Sequence, residues 1–123
     1  MTKQRPYYLD VTQQYVLRHA CRSILESFGT PPMLVGSCLE RADFRDVDLR
    51  LMMDDAEFDA LFPGYDPSVG TCARLAFLNA AISSYLAART GLPIDFQFQR
   101  RTEANEKYGG QKRNSQFVSR ACP

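Results

Sequence analysis

Apolar residues recur at helical spacing over residues 11–28 of the chain. Gly29 follows this stretch, and Pro31 and Pro32 come directly after it. Spacings of three and four residues place side chains on one face of a helix, and glycine and proline are stop signals. The pattern predicts a helix over residues 11–28. Its apolar face is expected to contain Val11, Tyr15, Val16, Ala20, Ile24, Leu25 and Phe28.

Three later segments have patterns typical of strands. Residues 33–35 form a short apolar run, whereas residues 46–53 and 93–100 alternate between apolar and polar side chains. Because successive side chains of a strand point to opposite faces, each longer strand has one apolar and one polar face. With the helical segments, this pattern predicts a core that includes Val35, Val47, Leu49, Leu51, Leu75, Leu78, Ile82, Ile94, Phe96 and Phe98.

Two helices are predicted between the second and third strands. A short one, capped by Asp54 or Asp55, ends at Leu61, and a long one over about residues 70–90 is closed by Gly91. Beyond the third strand the chain turns polar. Residues 102–107 are compatible with a helix, and the glycine-containing, basic stretch 108–114 is typical of a flexible loop.

The chain of 123 residues is long enough for one domain with a modest core. We expect a single domain over residues 1–123, with a core over about residues 10–100 and a polar, partly flexible tail over 101–123. If the first two strands pair antiparallel, a right-handed crossover sets the third parallel to the second. The predicted fold class is α/β (α+β), a small mixed sheet of three to four strands with helices packed on one face.

Composition narrows the classes of function. A formal net charge of +1 argues against a strongly electrostatic nucleic-acid binder. No apolar run approaches the ~20 residues that span a bilayer, and no signal core follows the N-terminus, so a cytoplasmic protein without membrane contact is expected. The four cysteines form no Cys-x-x-Cys pair and only one histidine is present. A zinc site is therefore not expected, and a reducing compartment fits the cysteines.

The predicted topology gathers polar residues at one edge of the sheet. Asp46 and Asp48 lie on the polar face of the second strand, and Asp95 lies near the start of the third. Gly36 and Ser37 end the first strand beside them. Three carboxylates on neighbouring strands repel one another unless a cation is present. The arrangement therefore predicts a divalent-cation site. It also predicts that Gly36, which has no side chain, lets a phosphate approach the backbone there.

Two further features bear on this site. Ser37 stands three residues before Glu40, the spacing of a capping box, which predicts a helix that starts beside the carboxylates. Arg50 shares a strand face with Asp48 and is the cation expected to contact phosphate. Arg41 and Arg45, in the short loop before the second strand, are weaker candidates for the same contact.

The glycine-serine pair, the alternate aspartates and the third aspartate, in this order, resemble the nucleotidyltransferase superfamily, specifically its minimal single-domain members. The resemblance implies that Asp46, Asp48 and Asp95 ligate Mg²⁺ or Mn²⁺, with Asp95 also the candidate general base. It implies that Gly36 and Ser37 hold the β- and γ-phosphates of a nucleoside triphosphate, with ATP as the expected one. The chain is also similar to short bacterial and phage-encoded proteins of unestablished activity.

Two functions from different classes remain open at this stage. The first is magnesium-dependent transfer of a nucleoside monophosphate to an acceptor hydroxyl with release of pyrophosphate. The chain has no room for an extra nucleic-acid-binding domain, so the expected acceptor is a protein side chain or a small molecule at a partner interface. The second is a nucleotide-fold binding or regulatory module, antitoxin-like or a phage factor, with little turnover. A homo-oligomer is compatible with both.

Overall fold

The computed structural model describes residues 8–108, 113 and 114 of the chain. The elements are α1 (Val11–Phe28), β1 (Met33–Val35), β2 (Val47–Met53), α2 (Asp55–Leu61), α3 (Ala73–Thr90), β3 (Ile94–Arg100), α4 (Arg101–Tyr108) and β4 (Arg113–Asn114). A single 3₁₀ turn over Gly36–Leu39 separates β1 from β2. Along the described residues, no helix is both long enough and apolar enough to cross a membrane.

The strands form one mixed sheet in the order β3-β2-β1-β4. β1 pairs antiparallel with β2, and β3 pairs parallel with β2. β4 adds two residues to the free edge of β1. The predicted antiparallel pair and parallel crossover are therefore confirmed, and the chain is a mixed α/β protein with a small mixed sheet.

The bounds of α1 follow from local capping chemistry. The Asp10 side chain accepts a hydrogen bond from the backbone N–H of Gln13 at 2.7 Å, and the Gln13 side chain accepts one from the backbone N–H of Asp10 at 2.9 Å. This reciprocal capping box satisfies two N–H groups at the start of the helix. At the other end Gly29 has φ 73°, the left-handed conformation that glycine adopts without strain.

The apolar face predicted for α1 is rotated relative to the face that is buried. Leu17, Ala20, Cys21 and Ile24 are buried. Val11 and Tyr15 were expected on the apolar face, but they are 81% and 61% exposed. That part of the prediction is wrong. Both residues lie in the first turns of the helix, and helical spacing alone does not show how far packing extends along a helix.

The core lies between the sheet and the helices α1 and α3. Six residues of the predicted core are buried, namely Val47, Leu49, Leu51, Leu75, Phe96 and Phe98. Three more are partly buried against the core, namely Leu78, Ile82 and Ile94.

The burial predicted for Val35 is wrong. Leu34 is the residue of β1 that is fully buried, whereas Val35 is only half-buried. Leu34 pairs with Leu49, and Val35 pairs with Asp48. Paired residues of neighbouring strands point to the same face, so Val35 lies on the polar face of the sheet. A strand of three residues is too short for an alternating pattern to reveal its register.

The edge of the sheet at β3 is covered by side chains of α3. The Ser83 hydroxyl accepts a hydrogen bond from the Phe96 N–H at 2.9 Å and donates one to the Phe96 carbonyl at 3.4 Å. Asn79 Oδ1 accepts from the Phe98 N–H at 3.0 Å. These side chains take the place of a further strand, which leaves this part of the edge unable to pair with another chain.

α4 follows β3 directly and contacts both β2 and β3. Met52, on the polar face of β2, and Ala104 of α4 are buried but do not belong to the main core. The polar face is therefore covered at this end and open at its Asp48 end. Part of the stretch predicted as a tail is thus an ordered helix. In the predicted flexible loop, residues 113 and 114 form β4, and residues 109–112 lie outside the described residues.

Candidate functional site

Two of the predicted site carboxylates stand side by side. In the parallel pairing of β2 with β3, Asp48 is the direct partner of Asp95. Residues paired in this way point to the same face of the sheet, so both side chains lie on the polar face. Asp46 lies one residue before β2, at the alternate position to Asp48, and is exposed. The predicted gathering of these aspartates on one face is thus present in the structure.

Gly36 lies directly against the Asp48 carboxylate. Its φ is +79°, and a Cβ atom built at this position would come within 2.2 Å of Asp48 Oδ2. Real Cβ atoms do not approach an oxygen so closely, and a left-handed φ is costly for any residue with a side chain. The turn between β1 and β2 therefore requires glycine for two independent reasons, and the sequence had indicated only a glycine close to a ligand.

Ser37 does not cap a helix. It lies inside the 3₁₀ turn, whose N-cap is Val35 without any side-chain capping hydrogen bond. The Ser37 backbone carbonyl, rather than its hydroxyl, accepts hydrogen bonds from the N–H groups of Glu40 at 3.0 Å and Arg41 at 2.9 Å. The predicted capping box is therefore wrong. The 3₁₀ segment ends after a single turn, with Cys38 and Leu39 buried in the core, and no longer helix starts here.

Burial and neighbouring charges both act on Asp48. Burial raises the pKa of the Asp48 carboxyl above its ordinary value, and the nearby Arg50 guanidinium partly opposes this. The carboxylates of Asp95 and Asp46 raise the pKa of Asp48 further. Like charges held together favour the protonated form or a bound cation. The ionised form of Asp48 is thus disfavoured in the folded chain.

Arg50 is engaged with Asp95. Its side chain is 15% exposed, and it donates hydrogen bonds to the Asp95 carbonyl at 2.7 Å and the Leu49 carbonyl at 2.9 Å. It also forms an ion pair with Asp95 Oδ2 at 3.4 Å. Asp95 Oδ1 accepts a longer hydrogen bond from Gln97 Nε2 at 3.5 Å. Arg50 therefore links β2 to β3 and supplies a positive charge to Asp95; its contact with phosphate stays a prediction.

Asp46, Asp48 and Asp95 offer the oxygen donors that Mg²⁺ and Mn²⁺ prefer. Over the described part of the chain, however, no three acidic, cysteine or histidine side chains are arranged to hold a metal ion. One oxygen of Asp95 is paired with Arg50, and the other accepts a hydrogen bond from Gln97. The donor type therefore fits a divalent cation at Asp46 and Asp48, whereas Asp95 is committed to protein partners.

The other two arginines predicted near the site lie at the protein surface. Arg41 pairs with Asp43 at 3.6 Å, with both side chains well exposed, and Arg45 is exposed. The sequence did not indicate that Cys38 lies beside Asp48. Its buried thiol has a pKa raised to about 11, first by burial and then by the Asp48 carboxylate. The residue follows Gly36-Ser37 in the sequence, but only the 3₁₀ turn brings it against Asp48.

Comparison of the chain with protein-family models, with curated proteins and with solved structures finds no match. The geometry of the site therefore carries the functional argument by itself.

Proposed function

We propose that this protein binds a nucleoside triphosphate together with a divalent cation held by Asp46 and Asp48, beside Asp95, and transfers its nucleoside monophosphate to an acceptor hydroxyl. One observation carries the proposal. Asp48 and Asp95 are direct partners on adjacent strands, and Gly36 lies against the Asp48 carboxylate at the open end of the same face. A glycine turn beside paired carboxylates allows a phosphate chain to approach both the backbone and a carboxylate-bound cation.

The balance of the proposed reaction is simple. The acceptor oxygen forms a bond to the α-phosphorus, the bond from that phosphorus to the bridging oxygen breaks, and pyrophosphate leaves. Asp46 and Asp48 would hold the cation, and Asp95 would take the proton of the acceptor hydroxyl. A bound divalent cation supplies charge neutralisation for the phosphates in such reactions. Gly36 and Ser37 would lie beside the β- and γ-phosphates, with ATP the expected triphosphate.

Calorimetry tests the binding half of this proposal. We expect ATP to bind the full chain in the presence of Mg²⁺ and not in the presence of EDTA. Asp46→Asn, Asp48→Asn and Asp95→Asn should each weaken binding, because the first two remove a charge from the cation's ligands and the third removes a charge beside them. Asp43→Asn is the matched control, since Asp43 is an exposed neighbour paired with Arg41, and it should bind normally. Binding without metal, or normal affinity in all three site variants, would contradict the proposal.

Mass spectrometry tests the transfer half. Proteins and small molecules that co-purify with the chain would be incubated with ATP and Mg²⁺ and searched for the added mass of a nucleoside monophosphate. We expect the modification with the unaltered chain and not with Asp48→Asn. A second copy of the chain is one candidate acceptor, so the protein itself belongs in the search.

A binding or regulatory module with little turnover is the second candidate function. The ion pair between Arg50 and Asp95 favours it, because an aspartate neutralised by a guanidinium is a poorer base and a poorer metal ligand. Metal-dependent ATP binding without transfer to any acceptor would decide for this module. Arg50→Gln would then be informative, since transfer that appears only in this variant would identify the ion pair as an inhibitory contact.

A further inference from the structure

A cavity lies at the edge of β3, the outermost strand on its side of the sheet. Its volume is about 380 Å³, and it is bounded by the first half of α3, the end of β3 and α4. Pockets of this size are large enough for small-molecule ligands. Gln97 lines the cavity, and its Nε2 also donates to Asp95 Oδ1 at 3.5 Å. One side chain therefore forms part of the cavity wall and contacts the proposed base.

The residues of the proposed nucleotide site form a row across the sheet that ends on the side of this cavity. Asp48, in the middle strand, pairs with Asp95 of β3 on one side. On the other side Gly36, at the end of β1, lies against the Asp48 carboxylate. Adjacent strands are about 4.7–4.9 Å apart, so the row crosses about 10 Å of the sheet. The cavity lies beyond the Asp95 end of this row.

This order across the sheet fixes the side from which an acceptor approaches. In phosphoryl transfer the attacking and leaving oxygens lie roughly in line through the phosphorus atom. In the proposed reaction the pyrophosphate leaves on the side of Gly36. The acceptor oxygen must then approach from the opposite side, which is the side of Asp95 and of the cavity.

The two carboxylate oxygens of Asp95 have different partners. Oδ2 is paired with Arg50 at 3.4 Å. Among the described residues, Oδ1 accepts only the long hydrogen bond from Gln97, and nearly half of the Asp95 side chain is exposed. An acceptor hydroxyl that lies beside Gln97 would therefore pass its proton to Oδ1 while Arg50 holds Oδ2.

The polar groups along the cavity wall match hydroxyl groups. The wall contains the side-chain amides of Asn79, Gln97 and Gln99 and the hydroxyl of Thr71. Asn79 Oδ1 accepts the Phe98 N–H, which leaves the NH₂ group of this amide to act as a donor. Amides and hydroxyls both donate and accept hydrogen bonds. A compound with several hydroxyl groups would therefore find partners for its donors and for its acceptors.

The charged groups at the cavity are paired with one another. Arg100 contacts Asp59 at 3.0 Å, Asp55 at 3.3 Å and Glu103 at 3.9 Å. Glu103 also accepts a hydrogen bond from the Tyr65 hydroxyl. Three carboxylates thus surround one guanidinium, and the excess negative charge disfavours an anionic ligand. An uncharged ligand avoids this cost.

We propose that this cavity binds the acceptor of the transfer reaction, and that the acceptor is a small uncharged compound with several hydroxyl groups. The inference rests on the proposed function and names the class of its second substrate. One hydroxyl oxygen of the acceptor would form a bond to the α-phosphorus and lose its proton to Asp95 Oδ1. The bond from that phosphorus to the bridging oxygen would break, and pyrophosphate would leave on the side of Gly36.

Two probes of the same ring and different charge test the cavity without any nucleotide. The full chain, labelled with ¹⁵N, would be titrated by nuclear magnetic resonance with glucose and with glucuronate, which carries a carboxylate in place of the CH₂OH group. We expect saturable shifts of the backbone signals of Thr71, Asn79 and Gln97 with glucose, and none with glucuronate at the same concentrations. Equal binding of glucuronate, or no saturable shift with either probe, would overturn the proposal.

A variant at the cavity rim then connects the cavity with transfer. Ala76 is exposed on α3 and lines the cavity, so Ala76→Leu would occupy part of its volume. We expect this variant to bind glucose at least tenfold more weakly and to lose transfer to the co-purifying compounds, with unchanged affinity for ATP and Mg²⁺. Ala88→Leu is the matched control, because Ala88 is exposed on the same helix and does not line the cavity. It should behave as the unaltered chain does.

The outcomes separate the acceptor site from the proposed function itself. Normal transfer by Ala76→Leu would overturn the acceptor site and leave the proposed function standing. Weaker binding of ATP and Mg²⁺ by this variant would also overturn it, because the cavity would then hold the nucleoside. If the unaltered chain bound no ATP in the presence of Mg²⁺, the proposed function would fail, and the assignment of the cavity to an acceptor would fail with it.

Discussion

The Asp48 carboxylate stands so close to Gly36 that no side chain fits between them. A Cβ at Gly36 would lie 2.2 Å from Asp48 Oδ2 and 3.1 Å from Asp48 Cγ. Eleven residues, 37–47, separate the two along the chain, yet the antiparallel register of β1 and β2 brings them together. The contact joins the turn predicted to receive phosphates to the carboxylate predicted to hold the cation.

Gly36→Ala should lower the free energy of unfolding substantially. A left-handed φ alone costs an alanine about 1–2 kcal/mol, and the contact with Asp48 Oδ2 adds to this. Gly29→Ala is the matched control, because Gly29 has φ +73° and nothing within 4 Å of its Cβ position. Urea unfolding would measure both. Combining Gly36→Ala with Asp48→Ala should recover part of the loss; an equal loss in the Gly36 and Gly29 variants would contradict the close contact.

Asp48→Asn should stabilise the metal-free protein at pH 7, or leave its stability nearly unchanged. Since the pKa of Asp48 is raised in the folded chain, ionising it costs more free energy there than in the unfolded chain. The protonated Asp48 carboxyl contributes its full free energy of folding below pH 3.8, the ordinary pKa. This contribution is lost as the pH rises through the higher pKa that Asp48 has in the folded chain. Thermal unfolding in EDTA should therefore show the variant's advantage shrinking as the pH is lowered towards 3.8. A large loss at pH 7 would identify a structural carboxylate.

Alanine substitutions at the two ends of β1 should differ sharply. Leu34 is fully buried on the core face, so Leu34→Ala should cost about 2–5 kcal/mol of unfolding free energy. Val35 lies half-buried on the polar face, so Val35→Ala should cost less than about 1 kcal/mol. Chemical denaturation would measure the pair. The reverse order would mean that the register of β1 is shifted by one residue.

The side chains that cover the edge of β3 should contribute measurably to stability. Asn79→Ala removes the acceptor of the Phe98 N–H, and a buried group left without a partner costs about 1–3 kcal/mol. Ser83→Ala should act similarly at Phe96. Ser84→Ala, exposed on the same helix, is the control and should be neutral. Light scattering would also show whether the uncovered edge promotes association of the variants.

Thiol labelling should distinguish the cysteines. Burial raises the pKa of Cys21 to about 12. Burial, together with Asp48, raises that of Cys38 to about 11. Thiolates are the reactive species, so at neutral pH neither should react in the folded protein. In a Cys122→Ser background, Ellman's reagent should label only Cys72, which is half-buried, and denaturant should expose the other two. Fast labelling of Cys38 in the folded protein would contradict its packing against Asp48.

The sequence by itself determined the elements that are long enough for their apolar residues to repeat at helical or strand spacing. The helix over residues 11–28, the glycine stop at Gly91 and the two long alternating strands are all present in the structure within a few residues of their predicted bounds. Alternation over seven residues leaves only one face for an apolar core, and the right-handed crossover leaves only one direction for β3. Those two constraints place Asp48 and Asp95 on the same face of the sheet, whereas their direct pairing is a register that only the structure shows.

The tertiary structure decided what depends on contacts between distant residues. The burial of Leu34 rather than Val35, the ion pair of Arg50 with Asp95 and the hydrogen bond of Tyr65 to Glu103, 38 residues apart, leave no periodic trace in the sequence. Ser37 and Glu40 have the spacing of a capping box, but the chain forms only a 3₁₀ turn there, with Cys38 and Leu39 buried. Local patterns record which face of an element is apolar. How far that face is buried, and which charge neutralises which, depends on packing that forms only when the elements meet.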